Sequence, residues 1–221
     1  QFYDYHQHSE SCRYFFRDGQ QINFFTDKDR LNQELKSKLG VDATTIEKYL
    51  AHSAEKYDAI GKVFLETAIH KKTEIPWKSL FGNLPVFLNS GLMTSLHEHN
   101  SKTLKIKKLI QIFNRYATYN GSDPYQASGI LSMIPHLEQN AGTYFPNGGI
   151  YSIVKGLYQL ALNSGVHFSF NETITSARQE GGTYYIEANQ SYQSNQLVCA
   201  IDHLSFYKKI LKDKSLFHKY N

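Results

Sequence analysis

Residues 113–149 read FNRYATYNGSDPYQASGILSMIPHLEQNAGTYFPNGG, and this stretch organises the rest of the chain. It sets Arg115, Tyr116, Tyr119, Tyr125 and Tyr144 among the backbone breaks Gly121, Pro124, Gly142, Gly148 and Gly149. Aromatic segments seldom carry so many turn residues. One reason to build such a segment is to line a cavity. A plainer one is that the breaks end helices while the tyrosines pack a core with their hydroxyls at the surface. Spacing alone leaves both readings open.

On the N-terminal side, Tyr14–Phe16, Asp18-Gly19 and Ile22–Phe25 spell a hairpin, because Asp-Gly supplies the positive φ of a tight turn between apolar runs. Asp27 or Asp29 caps a short helix with Leu31, Leu35 and Leu39 on one face and Gly40 at its end. Asp42 or Thr44 caps a long helix whose stripe is Ile46, Tyr49, Leu50, Tyr57, Ile60, Phe64 and Ala68. Pro76–Leu96 breaks into short apolar pieces, which suits either burial on several sides or contact with lipid or an apolar ligand. Ser101 is the expected cap of the next helix, with Ile106, Leu109, Ile110 and Phe113 inward and Lys102, Lys105, Lys107 and Lys108 mainly elsewhere.

On the C-terminal side, Ile150, Ile153, Val154, Leu157, Leu160 and Ala161 predict an amphipathic helix ended by Ser164-Gly165. Val166–Phe170, Ile174–Arg178 and Thr183–Ala188 read as strands, with Gln196–Ala200 as a fourth. From His203 the pattern is helical again, with Leu204, Tyr207 and Leu211 on one face. The expected fold is α+β: a hairpin and short helix over 1–40, a helical insertion over 41–141, and a helix with short strands over 142–221.

The 221 residues include 16 Tyr and 14 Phe against a single Trp, a surplus of flat, partly polar surface that suits apolar ligands as well as a core. A formal charge of +4 favours anionic lipid mildly and is too small to argue for nucleic acid. Cys12 and Cys199 stand far apart without metal-type spacing, which fits a reducing, cytoplasmic compartment. The chain opens without methionine or a secretory pattern and reads as a piece of a longer polypeptide. No apolar run approaches the roughly 18 residues a spanning helix needs, so membrane contact, if made, is expected to be peripheral and on the inner face.

His6 with His8, and His97 with His99, have the two-residue spacing that puts strand side chains on one face. Neither pair converges with further ligands in a known metal pattern, so no metal is expected. G-x-S-x-G, H-E-x-x-H and P-loop signatures are absent, which disfavours those hydrolase and nucleotide chemistries. So is G-x-G-x-x-G, the pyrophosphate cradle of a Rossmann-type dinucleotide site.

Arg115–Gly121 (RYATYNG), its continuation Ser122–Ala127 (SDPYQA), and Ile134–Glu138 (IPHLE) resemble the carotenoid desaturase family of flavoproteins, which act on phytoene, diapophytoene and hydroxycarotenoids. Tyr144–Gly149 (YFPNGG) resembles that family's aromatic-Pro-x-Gly-Gly turn, and Tyr14–Phe25 its Asp-Gly hairpin. Asn171–Ile174 (NETI) resembles the strand turn whose backbone meets the flavin adenine. Cys199–Asp202 (CAID) stands where Ser-Asn-Ala-Asp is usual, so only the aspartate is kept.

The resemblance covers most of the chain and implies the substrate-binding part of an FAD-dependent oxidoreductase that dehydrogenates a long polyene. It implies substrate contacts at Arg115, Tyr119, Tyr125 and Tyr144, and cofactor contacts at Gly148 and Gly149, whose missing Cβ atoms would let backbone approach the flavin, and at Ile174 in the adenine-contacting turn. It assigns no general acid or base. Because the pyrophosphate loop is absent, this chain alone is expected neither to hold FAD tightly nor to turn over. Two other readings stay open: an amine oxidase or retinoid saturase relative, and a non-catalytic lipid-binding module centred on Pro76–Lys108.

Overall fold

A computed structural model describes residues 2–61, 82, 86 and 89–212. The chain divides into two compact units, 1–157 and 158–221. Helices and small antiparallel sheets make an α+β protein, as the pattern predicts.

The first unit begins with β1 (Tyr5–Gln7), β2 (Glu10–Phe15) and β3 (Gln21–Phe25). Strands β2 and β3 form the predicted hairpin, Tyr14 opposite Ile22, with Gly19 at φ 81° in the turn. Helix α1 (Lys28–Leu39) starts at Asp27, whose side chain accepts from the Arg30 N–H, and stops at Gly40 in the left-handed conformation. Helix α2 (Ala43–Lys56) follows Asp42 and runs on into a wider helical turn, Tyr57–Gly61. Phe64, Ala68 and most of the apolar Pro76–Leu96 segment lie outside the described residues.

Helix α3 (Leu96–Leu104) corrects the sequence reading at this point. Its cap is Ser95, and Ser101 lies inside it. Ser95 Oγ accepts from the Glu98 N–H while the Glu98 carboxylate accepts from the Ser95 N–H. That reciprocal pair outweighs the isolated serine at 101 because it satisfies two orphan donors at once. The helix stops at Lys105, at φ 61°, and α4 (Lys107–Asn114) starts afresh. Lys108 of the lysine run is also not a free surface group: it binds Asp18 and Gln20 and lies over the Phe16 ring.

A tight helical turn, Arg115–Asn120, continues α4 and ends at Gly121. A second covers Gly129–Met133 and a wider one His136–Asn140. Strand β4 (Tyr144–Pro146) then pairs antiparallel with β1, Tyr5 opposite Pro146, so the helical block lies between two strands that close on each other. The core gathers Ile22 and Phe24 of β3, Leu31 and Leu35 of α1, Ile46 and Tyr49 of α2, and Leu109, Ile112 and Phe113 of α4, with Tyr116 beside them. Phe113 is its hub, in ring contact with Phe24, Tyr49 and Tyr116. Truncating such a residue to alanine costs about 3–5 kcal/mol.

Helix α5 (Tyr151–Asn163) has the predicted extent, but Ile150, Val154, Leu157 and Leu160 are exposed instead of facing a core. The second unit carries β5 (Ser176–Glu180), β6 (Thr183–Glu187) and β7 (Ser191–Ser194) as an antiparallel meander. Gly181 and Gly182, both with positive φ, make the β5–β6 turn. Two predicted strands are not formed. Val166–Phe170 is irregular, and there Phe168 and Phe170 pack on Tyr158; the remaining strand is Ser191–Ser194, not Gln196–Ala200. Short apolar runs carry little period information, so aromatic packing and the register on β6 decided both cases. Asp202 caps the closing helical segment, α6 (His203–Ser205) and a wider turn over Phe206–Leu211.

Candidate functional site

The conspicuous 113–149 stretch folds around one carboxylate. The Arg115 guanidinium donates to both oxygens of Glu138, at 2.8 and 2.7 Å, and its Nε donates to the Tyr14 hydroxyl at 2.8 Å. The Tyr116 and Tyr119 hydroxyls donate to the same carboxylate at 3.1 and 3.2 Å, and Gln139 Nε2 reaches it at 3.2 Å. Gln139 Nε2 also meets Ser11 on β2, while its buried Oε1 has no donor among the described residues. Arg115 lies over the Tyr116 ring, and Tyr119 stacks on the outer side of Tyr116. The i, i+3 spacing of Tyr116 and Tyr119 on a tight helical turn eclipses their side chains and aims both at Glu138.

The electrostatics follow from that packing. Burial alone would lower the basicity of Arg115; its bonds to Glu138 outweigh this and hold it more basic than usual. Burial, and then the Glu138 charge, push Tyr116 well above the ordinary phenol range. Tyr14 is raised by burial in spite of Arg115. The cluster is a fixed cation, a fixed anion and protonated phenols. It can orient a polar or flat group, and neither Arg115 nor the buried phenols Tyr14 and Tyr116 are poised to exchange a proton near neutral pH.

The other residues singled out from the sequence lie apart from this cluster. Tyr125 is 64% exposed and packs its ring on His97 at 4.3 Å. His97 meets Asn114, which accepts from Asn100, which in turn accepts from the buried Tyr49 hydroxyl. Tyr144 is 52% exposed and makes an edge contact with Tyr5 across β1–β4. Gly148 and Gly149, at φ 83° and 88°, form the turn after β4, with open space where a Cβ would point. Ile174 is exposed in the second unit. Of the seven residues, then, the structure brings Arg115 and Tyr119 together.

His97 and His99 do not share a face. They sit on a helix, where two-residue spacing turns the side chains about 200° apart. His97 goes to Asn114 and Tyr125, whereas His99 goes to Lys56. His6 and His8 do lie together, rings 5.1 Å apart. Among the described residues no group of three or more His, Cys, Asp or Glu side chains gathers as a metal site would.

Sequence reasoning missed a second site. Lys56, on the face of α2 expected to be core, is 6% exposed, and its Nζ lies 3.0 Å from His99 Nε2 and 2.9 Å from Ser132 Oγ. It lines a pocket of about 420 Å³ together with Tyr49, His52, His99 and Ser132. Burial lowers Lys56 to about 8, and burial together with the neighbouring Lys56 lowers His99 to about 4. A lysine in the sequence Ala54-Glu55-Lys56-Tyr57 carries no local sign of this.

No protein-family model matches the chain. Among curated proteins it is 32% identical to a 1-hydroxycarotenoid 3,4-desaturase of Flavobacterium sp. (strain P99-3), over 96% of this chain and 43% of that protein. It is 24% identical to a carotenoid 3,4-desaturase of Haloarcula japonica, with the same shares covered. It is also 24% identical to a zeta-carotene-forming phytoene desaturase of Myxococcus xanthus, over 92% of this chain and 39% of that protein. The chain thus spans about two fifths of the length of the curated relatives it matches. Across most of its own length it is a homologue of the carotenoid, phytoene and diapophytoene desaturases.

Proposed function

We propose that this chain is the substrate-binding portion of an FAD-dependent carotenoid desaturase, of the phytoene or hydroxycarotenoid type, that dehydrogenates a long polyene. The observation that carries the reading is homology to named desaturases over 96% of the chain. The segments most like that family, RYATYNG and IPHLE, also meet at the Arg115–Glu138 pair. Such a scaffold is rigid enough to position an apolar substrate, because each hydroxyl and charge is fixed by a partner. In this reading Arg115 and Tyr119 set the shape of the substrate wall, while Tyr125 and Tyr144 offer exposed flat faces to the polyene.

A bound flavin would supply the acceptor for the hydride or electrons removed from the polyene. The residues present fit that group in part. In the first unit Gly148 and Gly149 leave the space that a flat ring approaching the backbone requires; Ile174, in the second unit, is kept as a separate candidate contact. The sequence holds no glycine-rich cradle for the pyrophosphate. The chain alone is therefore expected not to retain FAD. Contact with a membrane surface would bring the apolar substrate within reach; among the described residues no helix is long and apolar enough to cross a bilayer.

The test is FAD reconstitution of the complete gene product beside the 221-residue chain, read by flavin absorbance after gel filtration, followed by phytoene turnover in lipid vesicles. Flavin held and phytoene desaturated by the complete product alone supports the reading. Flavin held by neither would overturn it in favour of a lipid-binding module, and stoichiometric flavin on the short chain would refute the expected loss of FAD.

A further inference from the structure

Lys56 plays no part in the desaturase reading, and its surroundings are built for another chemistry. The amine stands at the wall of a pocket of about 420 Å³, above the roughly 300 Å³ at which small-molecule sites begin. Two groups hold it: His99 Nε2 within hydrogen-bond distance at 3.0 Å, and Ser132 Oγ, which accepts from it at 2.9 Å. Ser132 is itself fixed, since its carbonyl accepts from Ser53 Oγ at 2.7 Å, one turn before Lys56 on α2. The described hydrogen-bond partners of the amine are thus a neutral imidazole and a hydroxyl, neither of which holds it as a cation. A desolvated amine on a concave wall, held by neutral partners, is the arrangement of a nucleophilic lysine.

We propose that this pocket captures a small aldehyde as an imine on Lys56 Nζ. The Nζ lone pair attacks the carbonyl carbon, a C–N bond forms, and the carbonyl π pair moves to oxygen. One amine proton passes to that oxygen, relayed by the Ser132 hydroxyl, to give the carbinolamine. The C–O bond then breaks, and the second amine proton leaves with the hydroxyl as water, so both protons and the carbonyl oxygen depart together. No oxidant or reductant is consumed. His99 is a positioning residue that holds one amine N–H and so directs the lone pair. Its proton affinity is too low, at about 4, for it to become a competing cation at neutral pH.

The experiment treats the full 221-residue chain with butanal and cyanoborohydride at pH 7, then digests it and measures butylation of each lysine over time by mass spectrometry. With Lys56 at about 8 against an ordinary 10.5, its share of neutral amine at pH 7 is about 300-fold that of an exposed lysine. Weaker intrinsic nucleophilicity takes back part of that. The expected result is labelling of Lys56 at least about tenfold faster than the exposed Lys48 and Lys105, with its rate half-risen near pH 8. Thr103→Trp, which fills the pocket, is expected to abolish labelling of Lys56 and leave Lys48 unchanged; His99→Phe is expected to slow it and shift its pH profile. Labelling of Lys56 slower than that of Lys48 would overturn the proposal, as would fast labelling that persists in Thr103→Trp.

Discussion

Replacing Glu138 by leucine should cost far more than the loss of one surface ion pair. The carboxylate accepts from Arg115, Tyr116, Tyr119 and Gln139, and its side chain is only 9% exposed. At 2.7 Å and an effective dielectric near 20, the gross attraction to Arg115 is about 6 kcal/mol, most of it offset by desolvation of the two ions. Arg115 keeps 28% of its side chain in water, which discounts the net further. Glu138→Leu leaves that guanidinium and the phenols without their acceptor, so about 3–4 kcal/mol is expected. Arg115→Met is expected to cost about 2 kcal/mol, and the double variant to fall short of the sum by about 2 kcal/mol, because the second change removes the stranded charge. Urea unfolding followed by far-UV circular dichroism measures all three, and Glu138→Leu should lower the Tm by about 8–15 °C in a unit of this size. Single variants that add within about 0.5 kcal/mol, or a Glu138→Leu cost below about 1 kcal/mol, would show that the cluster is not the coupled unit described.

Gly129→Ala should destabilise by about 2 kcal/mol or more, because its new Cβ would lie 2.8 Å from the Gly91 carbonyl oxygen and 3.2 Å from His99 Cβ; a Tm within 2 °C of the parent would contradict that packing. Ser95→Ala should cost about 1 kcal/mol in denaturant unfolding through loss of the α3 cap, whereas Ser101→Ala should be near neutral; equal costs would restore Ser101 as the cap. Lys56 fixes the direction of a pH effect. Its folded value, about 8, lies below the ordinary 10.5, so between these the unfolded chain binds more protons and stability rises with pH. The gain is about 3 kcal/mol at most, and it is cut short above pH 10, where the unfolded chain ionises Tyr49 and Tyr116 while the fold keeps them protonated. Denaturant midpoints at pH 7.5 and 9.5 should therefore rise in the parent and stay level in Lys56→Met; a parent profile that falls would refute the burial of the amine.

Local chemistry was legible from the residues alone wherever one short segment decided the outcome. Asp18-Gly19 fixed the hairpin turn, Gly40 the end of α1, with its start narrowed to Asp27 or Asp29, and Gly181-Gly182 the β5–β6 turn, because capping and positive φ depend on neighbours in the chain. RYATYNG and IPHLE likewise carried the family, which comparison over 96% of the chain upheld. Outcomes that needed distant partners were not legible. Nothing near Tyr144 announces its pairing with Gln7, nothing near Glu138 announces that Arg115 and two phenols converge on it, and nothing near Lys56 announces His99 and Ser132. His97 and His99 divided because a helix, not a strand, received them, and Val166–Phe170 stayed irregular because its rings found Tyr158. Sequence determines where the backbone can turn and which faces are apolar. Only tertiary packing decides which charges and amines lose their water, and with that which of them acquire unusual chemistry.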